Sequence, residues 1–242
     1  KTINYHFMHI RLFHKTNSRS QRIIWLLEEL KLDYELVFCD NNPSDQSLDQ
    51  IKHPHRLAKF PTVQIYENEG SDAITLAETA AIADYLSYLC NDLGIEQLSH
   101  QEIQHFYYWK NFAEATLMPD LALKQIFAAI VARTPWAIRF VSQLLKFGFD
   151  RSYLNHTLNQ HLQMMDQHLK DHRYVAGQQF SIADLLLWFP LLACTQSNPA
   201  FESLAHIQRY LLQIQSRPAF QRALEKGQWS ASTFQSYWSK AW

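Results

Sequence analysis

Two serines, an asparagine and an arginine crowd one point of this chain, in the run "HKTNSRSQRIIWLLEEL". The apolar hexamer "HIRLFH" that leads into it has the texture of a strand. The "SQRIIWLLEEL" that follows places Ile23, Ile24, Leu27 and Leu30 on one helical face. A hydroxyl at such a junction has two uses. It can cap the helix, and Ser18 with Gln21 fits the S-x-x-Q capping box. It can also donate to an anion held at the helix N-terminus, where unpaired amides and the macrodipole favour negative charge. Asn17 and Ser20 compete with Ser18 for the second role, because the pattern fixes a helix boundary only to within a residue or two. Arg19 either adds positive potential there or stands as an exposed first-turn residue.

Other reactive groupings are thinner. Cys39, Cys90 and Cys194 are far apart, odd in number and form no CxxC pair, so neither a disulfide framework nor a dithiol site is expected. Free thiols fit a reducing cytoplasm. His168 and His172 share a helix face at i,i+4, yet "HExxH" is absent and no third ligand is evident, so no metal is expected.

The elements that must position the serine cluster follow in order. After the first strand and helix, "YELVFCD" alternates again, which makes a βαβ opening with two parallel strands. An irregular polar stretch, "NNPSDQSLDQIKHPHRLAK", leads to "TVQIYENEGSDAITLAE", two strand candidates around a turn, and to the helix "TAAIADYLSYL". Residues 8–91 therefore read as one α/β domain. Beyond the linker "NDLGIEQL", residues 99–242 read as all helix, opened by a Ser99–Glu102 capping box and restarted at Thr134–Pro135.

Of the 242 residues, 47% are hydrophobic and 19% charged, which places the chain among globular proteins. A formal net charge of -1 gives no support to a nucleic-acid-binding field or a polybasic membrane surface. The longest apolar run, "LLLWFPLLAC", is too short to span a bilayer, and the N-terminus lacks a signal-peptide layout. These features point to a cytoplasmic protein whose partners are small molecules or other proteins.

Five segments, "NSRSQR", "KFPTVQIYE", "LAETAAIADYL", "YVAGQQFSIADLLLW" and "SRPAFQRAL", stand in an order and spacing that resembles the soluble glutathione S-transferase family. The resemblance implies a thioredoxin-like α/β N-terminal domain, an all-α C-terminal domain and a homodimer. It also implies glutathione as co-substrate, its thiolate attacking a small hydrophobic electrophile, with peroxidase activity as a related outcome. A non-catalytic ligand-binding or interaction protein on the same fold is the alternative.

The resemblance assigns roles residue by residue. Ser18 matches the thiol-contacting position of serine-type members, with Arg19 in support. His14 stands where tyrosine-type members carry tyrosine, and no cysteine lies nearby to form a mixed disulfide. Lys59 matches the residue that contacts the glycyl carboxylate, and a cis Phe60–Pro61 bond would offer the Phe60 backbone to the cysteinyl unit. Thr79 and the first amides of its helix would take the γ-glutamyl carboxylate, and Glu78 the α-amino group. The loop "HPHRLAKFP" departs from the family pattern by two extra residues and a missing glycine, which leaves His53, His55 and Arg56 without roles. Tyr107 and Tyr108 are placed at the electrophile pocket, with core packing as the alternative, and "SIAD" is a structural capping box.

Overall fold

The computed structural model describes residues 8–39, 59–68, 70–195 and 199–242, so His53, His55 and Arg56 lie outside the described residues. Four strands form one mixed sheet: β1 (His9–His14), β2 (Tyr34–Phe38), β3 (Thr62–Tyr66) and β4 (Ile74–Ala77), in spatial order β2-β1-β3-β4. β2 runs parallel to β1, β3 antiparallel to it, and β4 pairs antiparallel with β3. Helix α1 (Gln21–Glu29) connects β1 to β2, and α2 (Thr79–Cys90) follows β4. This is the βαβ, then ββα order read from the sequence.

Helix α1 departs from the expected one-sided burial. Residues Gln21 to Glu28 are all buried, because α1 is covered on more than its sheet-facing side. Its second cover is a late segment of the chain. Trp25 meets Phe220 edge-on at 4.9 Å, Arg217 forks onto Glu29 at 2.6 and 2.7 Å, and Gln21 donates to the Ala223 carbonyl. Phe220, Arg222 and Ala223 lie on α9 (Pro218–Lys226), and Arg222 also donates to Glu28 at 2.7 Å. The chain accordingly divides into two compact units: the sheet with its helices plus Ile214–Ser230, and Leu98–Gln213 plus Ala231–Trp242. The boundary drawn from texture, which left everything after residue 99 in the helical domain, differs for that segment. An amphipathic helix looks the same in sequence whichever unit its apolar face joins.

In the helical unit, α3 (His100–Phe112), a π-helical turn (Ala113–Leu117) and α4 (Met118–Arg133) run on without a break. Ser99 and Glu102 close the expected capping box, with Ser99 N donating to Glu102 at 2.9 Å. By length and composition alone this continuous helix could cross a bilayer, with a mean hydropathy of 1.4 in its most apolar window. Its buried polar groups instead belong to the unit's interior. Lys124 donates to Asn155 at 2.6 Å, lies 3.2 Å from Asp150 and sits over the Trp242 ring. A 3₁₀ turn (Trp136–Ile138), α5 (Arg139–Phe149), a π-helical turn (Asp150–Leu154) and α6 (Asn155–Asp171) follow. The unit is completed by α7 (Ile182–Thr195), α8 (Ala205–Gln215) and α10 (Ala231–Ser239).

The histidine pair seen in the sequence acquires a third member here, because α3 brings His105 beside His168 and His172, with one ring nitrogen of each within 4.8 Å of the others. The two α6-end rings stack face to face at 4.1 Å. Nitrogens ligating one tetrahedral metal at about 2.0–2.1 Å must converge in front of it, whereas stacked rings hold their in-plane lone pairs side by side. His168 Nε2 lies 2.9 Å from the Val175 carbonyl, which can only accept, so Nε2 carries the proton and donates. Burial pushes the His168 pKa down to about 4. Its folded pKa lies below the free value, so its contribution to stability is complete above about pH 6.5 and is lost as pH falls toward 4. A thermal melt series across that window should show the wild type losing about 1–3 kcal/mol that His168→Phe does not lose.

Candidate active site

The serine cluster is built around the end of β1. Ile10, Leu12 and His14 alternate onto one face of the strand and all three are buried. His14 Nε2 lies 2.9 Å from the Gly227 carbonyl, so that nitrogen is the donor and Nδ1 is left to accept. Ser20 Oγ is 2.8 Å from Nδ1, and Ser18 Oγ is 2.8 Å from Ser20 Oγ. With the Ser20 proton on His14, Ser18 donates to Ser20. The Lys15 carbonyl, at 3.2 Å, is a longer and weaker alternative acceptor for the Ser20 proton. Burial pushes the His14 pKa down, which keeps the ring neutral and the order of donors fixed.

This arrangement separates the competitors. Ser20 is fully buried and its hydroxyl is committed to the network. Asn17 takes a left-handed conformation, φ 54°, and its Oδ1 accepts from Ser230 N at 2.8 Å. Arg19 is exposed. Ser18 is half-buried, and the capping box that competed for it does not form: the N-cap of α1 is Ser20, which makes no side-chain cap bond, and the Gln21 amide turns to Ala223 instead of back to Ser18. The Ser18 carbonyl accepts from Gln21 N at 3.1 Å, and its Oγ accepts a longer bond from Ser20 N at 3.3 Å.

The second junction lies between β4 and α2. Glu78 precedes the helix with φ 72° and ψ 121°, a strained region for a residue with a side chain. The Glu78 side chain does not cap the first-turn amides of α2. Thr79 is nearly buried, and the guanidinium of the fully buried Arg22 stands 3.5 Å from its hydroxyl through Nη2. A full positive charge thus adds to the helix dipole at this terminus. From the sequence, Arg22 and His14 carry no role of their own, and Ser20 stands only as a competitor of Ser18. The one available signal was the placement of three polar side chains where strand and helix periodicity demand buried positions.

Lys59 and Glu78, assigned to opposite ends of one ligand, pair with each other at 2.8 Å on the surface. The Phe60–Pro61 bond is cis, as the resemblance implies. In the helical unit, Phe106, Trp109 and Phe112 turn inward, while Tyr107 and Tyr108 are exposed. Core packing does not account for these two tyrosines. Tyr108 OH lies 3.4 Å from Met164 Sδ, and Lys110 stands over the Tyr107 ring.

A four-stranded mixed sheet with its βαβ and ββα halves, followed by a helical unit, defines a thioredoxin-like domain joined to an all-helical one. Residues 8–88 match the family model of the glutathione S-transferase N-terminal domain, and residues 150–218 that of the C-terminal domain. Glutathione S-transferase 3 of Schizosaccharomyces pombe is 30% identical over 223 residues, 90% of this chain and 87% of the relative. A glutathione S-transferase structure from Actinobacillus pleuropneumoniae shares 26% identity with a TM-score of 0.68, over 91% of this chain and 94% of that one. A family member from Pseudomonas fluorescens Pf-5, solved with two glutathione bound, has a TM-score of 0.69 at 19% identity, over 92% of this chain and 94% of that one. The chain belongs to the glutathione S-transferase family.

Proposed function

We propose that this chain is a serine-type glutathione transferase in which Ser18 stabilises the glutathione thiolate. The observation that carries this reading is the state of the Ser18 hydroxyl, which accepts a long bond from Ser20 N at 3.3 Å and holds its own proton toward Ser20 Oγ at 2.8 Å. Rotation about one bond redirects that proton to an arriving sulfur. The exchange trades a neutral hydrogen bond for one to an anion, which is about twice as strong. A free thiol ionises near pH 8.5, and lowering that by about two units requires about 2.7 kcal/mol of preference for the anion. A hydrogen bond to a charged group contributes about 1.5–3 kcal/mol and a helix N-terminus about 0.3–1, so Ser18 at α1 suffices.

The rest of the tripeptide finds complementary groups. Thr79, the α2 amides and the Arg22 charge suit the γ-glutamyl carboxylate, and Glu78 the amine. Lys59 suits the glycyl carboxylate and the Phe60 backbone the cysteinyl unit. Both partners of the Lys59–Glu78 pair are at least half exposed, and such pairs contribute at most about 1 kcal/mol, so ligand charges readily replace it. Tyr107 and Tyr108 are the side chains of the helical unit proposed to meet the electrophile. The thiolate would conjugate a hydrophobic electrophile or reduce an organic hydroperoxide, in a homodimer acting in the cytoplasm. The protein supplies ionisation and proximity, and the sulfur supplies the nucleophile.

The test is the ultraviolet difference absorbance of protein-bound glutathione, titrated with pH and paired with conjugation of a chloronitrobenzene. A thiolate appearing well below pH 8.5 together with turnover supports the reading. Binding without ionisation or turnover would instead place the chain among non-catalytic members of the fold.

A further inference from the structure

Every donor of the His14–Ser20–Ser18 chain points inward: Ser18 Oγ gives its proton to Ser20 Oγ at 2.8 Å, and Ser20 Oγ gives its own to His14 Nδ1 at 2.8 Å. Turning the Ser18 proton toward a sulfur leaves the two serine oxygens at that separation with no proton between them, which is a repulsive contact. Ser20 relieves it by turning its own proton outward to Ser18. That strips His14 Nδ1 of its donor inside the core, where the ring is fully buried and an unpaired nitrogen is costly.

One added proton on Nδ1 satisfies the whole chain. The ring then donates to Ser20 through Nδ1 and to the Gly227 carbonyl through Nε2, and both acceptors are already in place at 2.8 and 2.9 Å. Ser20 Oγ keeps a second donor in Lys15 N at 3.2 Å, and Ser18 Oγ keeps Ser20 N at 3.3 Å. The groups that meet the ring are Ser20, the Gly227 carbonyl and, edge-on at 5.3 Å, Phe38, none of them ionisable. Burial therefore holds the ring neutral on its own, below the usual histidine value, and a thiolate at the other end of the chain is the opposite charge that raises it. An ionising thiol brings that charge and the missing proton together.

We propose that His14 takes up, through Ser20 and Ser18, the proton that the glutathione thiol loses. The S–H bond breaks and its electron pair stays on sulfur. The thiol proton passes to Ser18 Oγ, the Ser18 proton to Ser20 Oγ and the Ser20 proton to His14 Nδ1, where the new N–H bond forms. Each hydroxyl ends with one proton, as it began, now pointing outward, and Ser18 donates to the thiolate. Once an electrophile has consumed the thiolate, the chain runs back and the proton leaves to water. His14 acts only through the two serines and is a positioning residue for the outermost one. This inference rests on the serine-type reading and adds to it the destination of the proton.

The experiment counts protons. Calorimetric titration of the full chain near neutral pH, in buffers of different ionisation enthalpy, gives the protons released per glutathione bound. S-methylglutathione carries the same charges and no thiol proton, so the difference between the two ligands isolates that proton. Ultraviolet difference absorbance gives the thiolate formed. Wild type should form thiolate while the difference in protons released stays near zero. Ser20→Ala, which cuts the chain, should release about one proton for each thiolate it forms. His14→Gln, whose amide can still reach the Gly227 carbonyl, should do the same, and thermal melts report that both fold. The wild-type balance is decisive without either variant. One proton released per thiolate in wild type overturns the proposal, as does Ser20→Ala retaining the proton, since another group then stores it. If Ser18→Ala abolishes the thiolate in either case, the serine-type reading survives and only the proton path falls. If wild type forms no thiolate, both fall.

Discussion

Replacing Ser18 with alanine should raise the pKa of bound glutathione by about one to two units and lower kcat/KM at neutral pH by about 10- to 100-fold. The magnitude follows from the loss of one hydrogen bond to an anion, about 1.5–3 kcal/mol, with each 1.4 kcal/mol worth a factor of ten. The dependence on pH separates this role from a structural one. At a pH well above 8.5 glutathione ionises unaided, so the deficit of Ser18→Ala should shrink there. Folding should be little affected, because Ser18 lies outside the core and the one backbone bond its Oγ accepts, from Ser20 N, is long at 3.3 Å. Ser18→Thr, which restores a hydroxyl, should recover part of the rate. A pH–rate profile with thermal melts checks all three expectations. An equal deficit at every pH, or a matching loss of stability, would remove Ser18 from the chemistry.

Replacing Asp184 with alanine should destabilise the helical unit by about 3–5 kcal/mol, the largest stability effect expected from one substitution here. Asp184 is fully buried near the start of α7 and accepts four hydrogen bonds. Val175 N and Tyr210 OH reach Oδ1 at 2.9 and 3.0 Å, and Ser181 N and Ser181 OH reach Oδ2 at 2.9 and 3.1 Å. Truncation leaves four donors without their acceptor in a site that admits no water easily, at a cost of about 1–3 kcal/mol for each donor that finds no replacement. Asp184→Asn keeps one carbonyl oxygen but points an amide donor at the remaining N–H and O–H groups, so it should recover less than half of the loss. Guanidinium denaturation followed by tryptophan fluorescence measures both. A midpoint for Asp184→Ala within error of wild type would show that the local chain rearranges to satisfy those donors.

The "SIAD" motif illustrates what sequence conveys well. Ser181 and Asp184 are three residues apart, so the bond from Ser181 N to the carboxylate needs nothing but local chain geometry. The Ser99–Glu102 box formed for the same reason. Tyr210 and Val175 also converge on Asp184, and no local rule announces them. Ser18–Gln21 shows the converse, a capping pattern that tertiary structure overrides, because Gln21 Nε2 donates to the Ala223 carbonyl and the amide is turned away from Ser18 N.

The sequence by itself determined the order of elements, since apolar period depends only on which side chains alternate along the chain. It determined that a hydroxyl cluster stands at the β1–α1 junction and a threonine at the β4–α2 junction. Tertiary structure alone decided which hydroxyl faces outward, because that depends on His14 reaching Gly227 across more than two hundred residues. It also decided that Arg22 lies beneath Thr79, that Ile214–Ser230 joins the sheet unit, and that His105 meets His168. The α4–α5 hairpin is the sharpest case. Periodicity marks α5 as having one apolar face without saying what covers it. Amphipathicity is a property of one helix, whereas burial is a property of its neighbours, and only the folded chain shows that this face is left open.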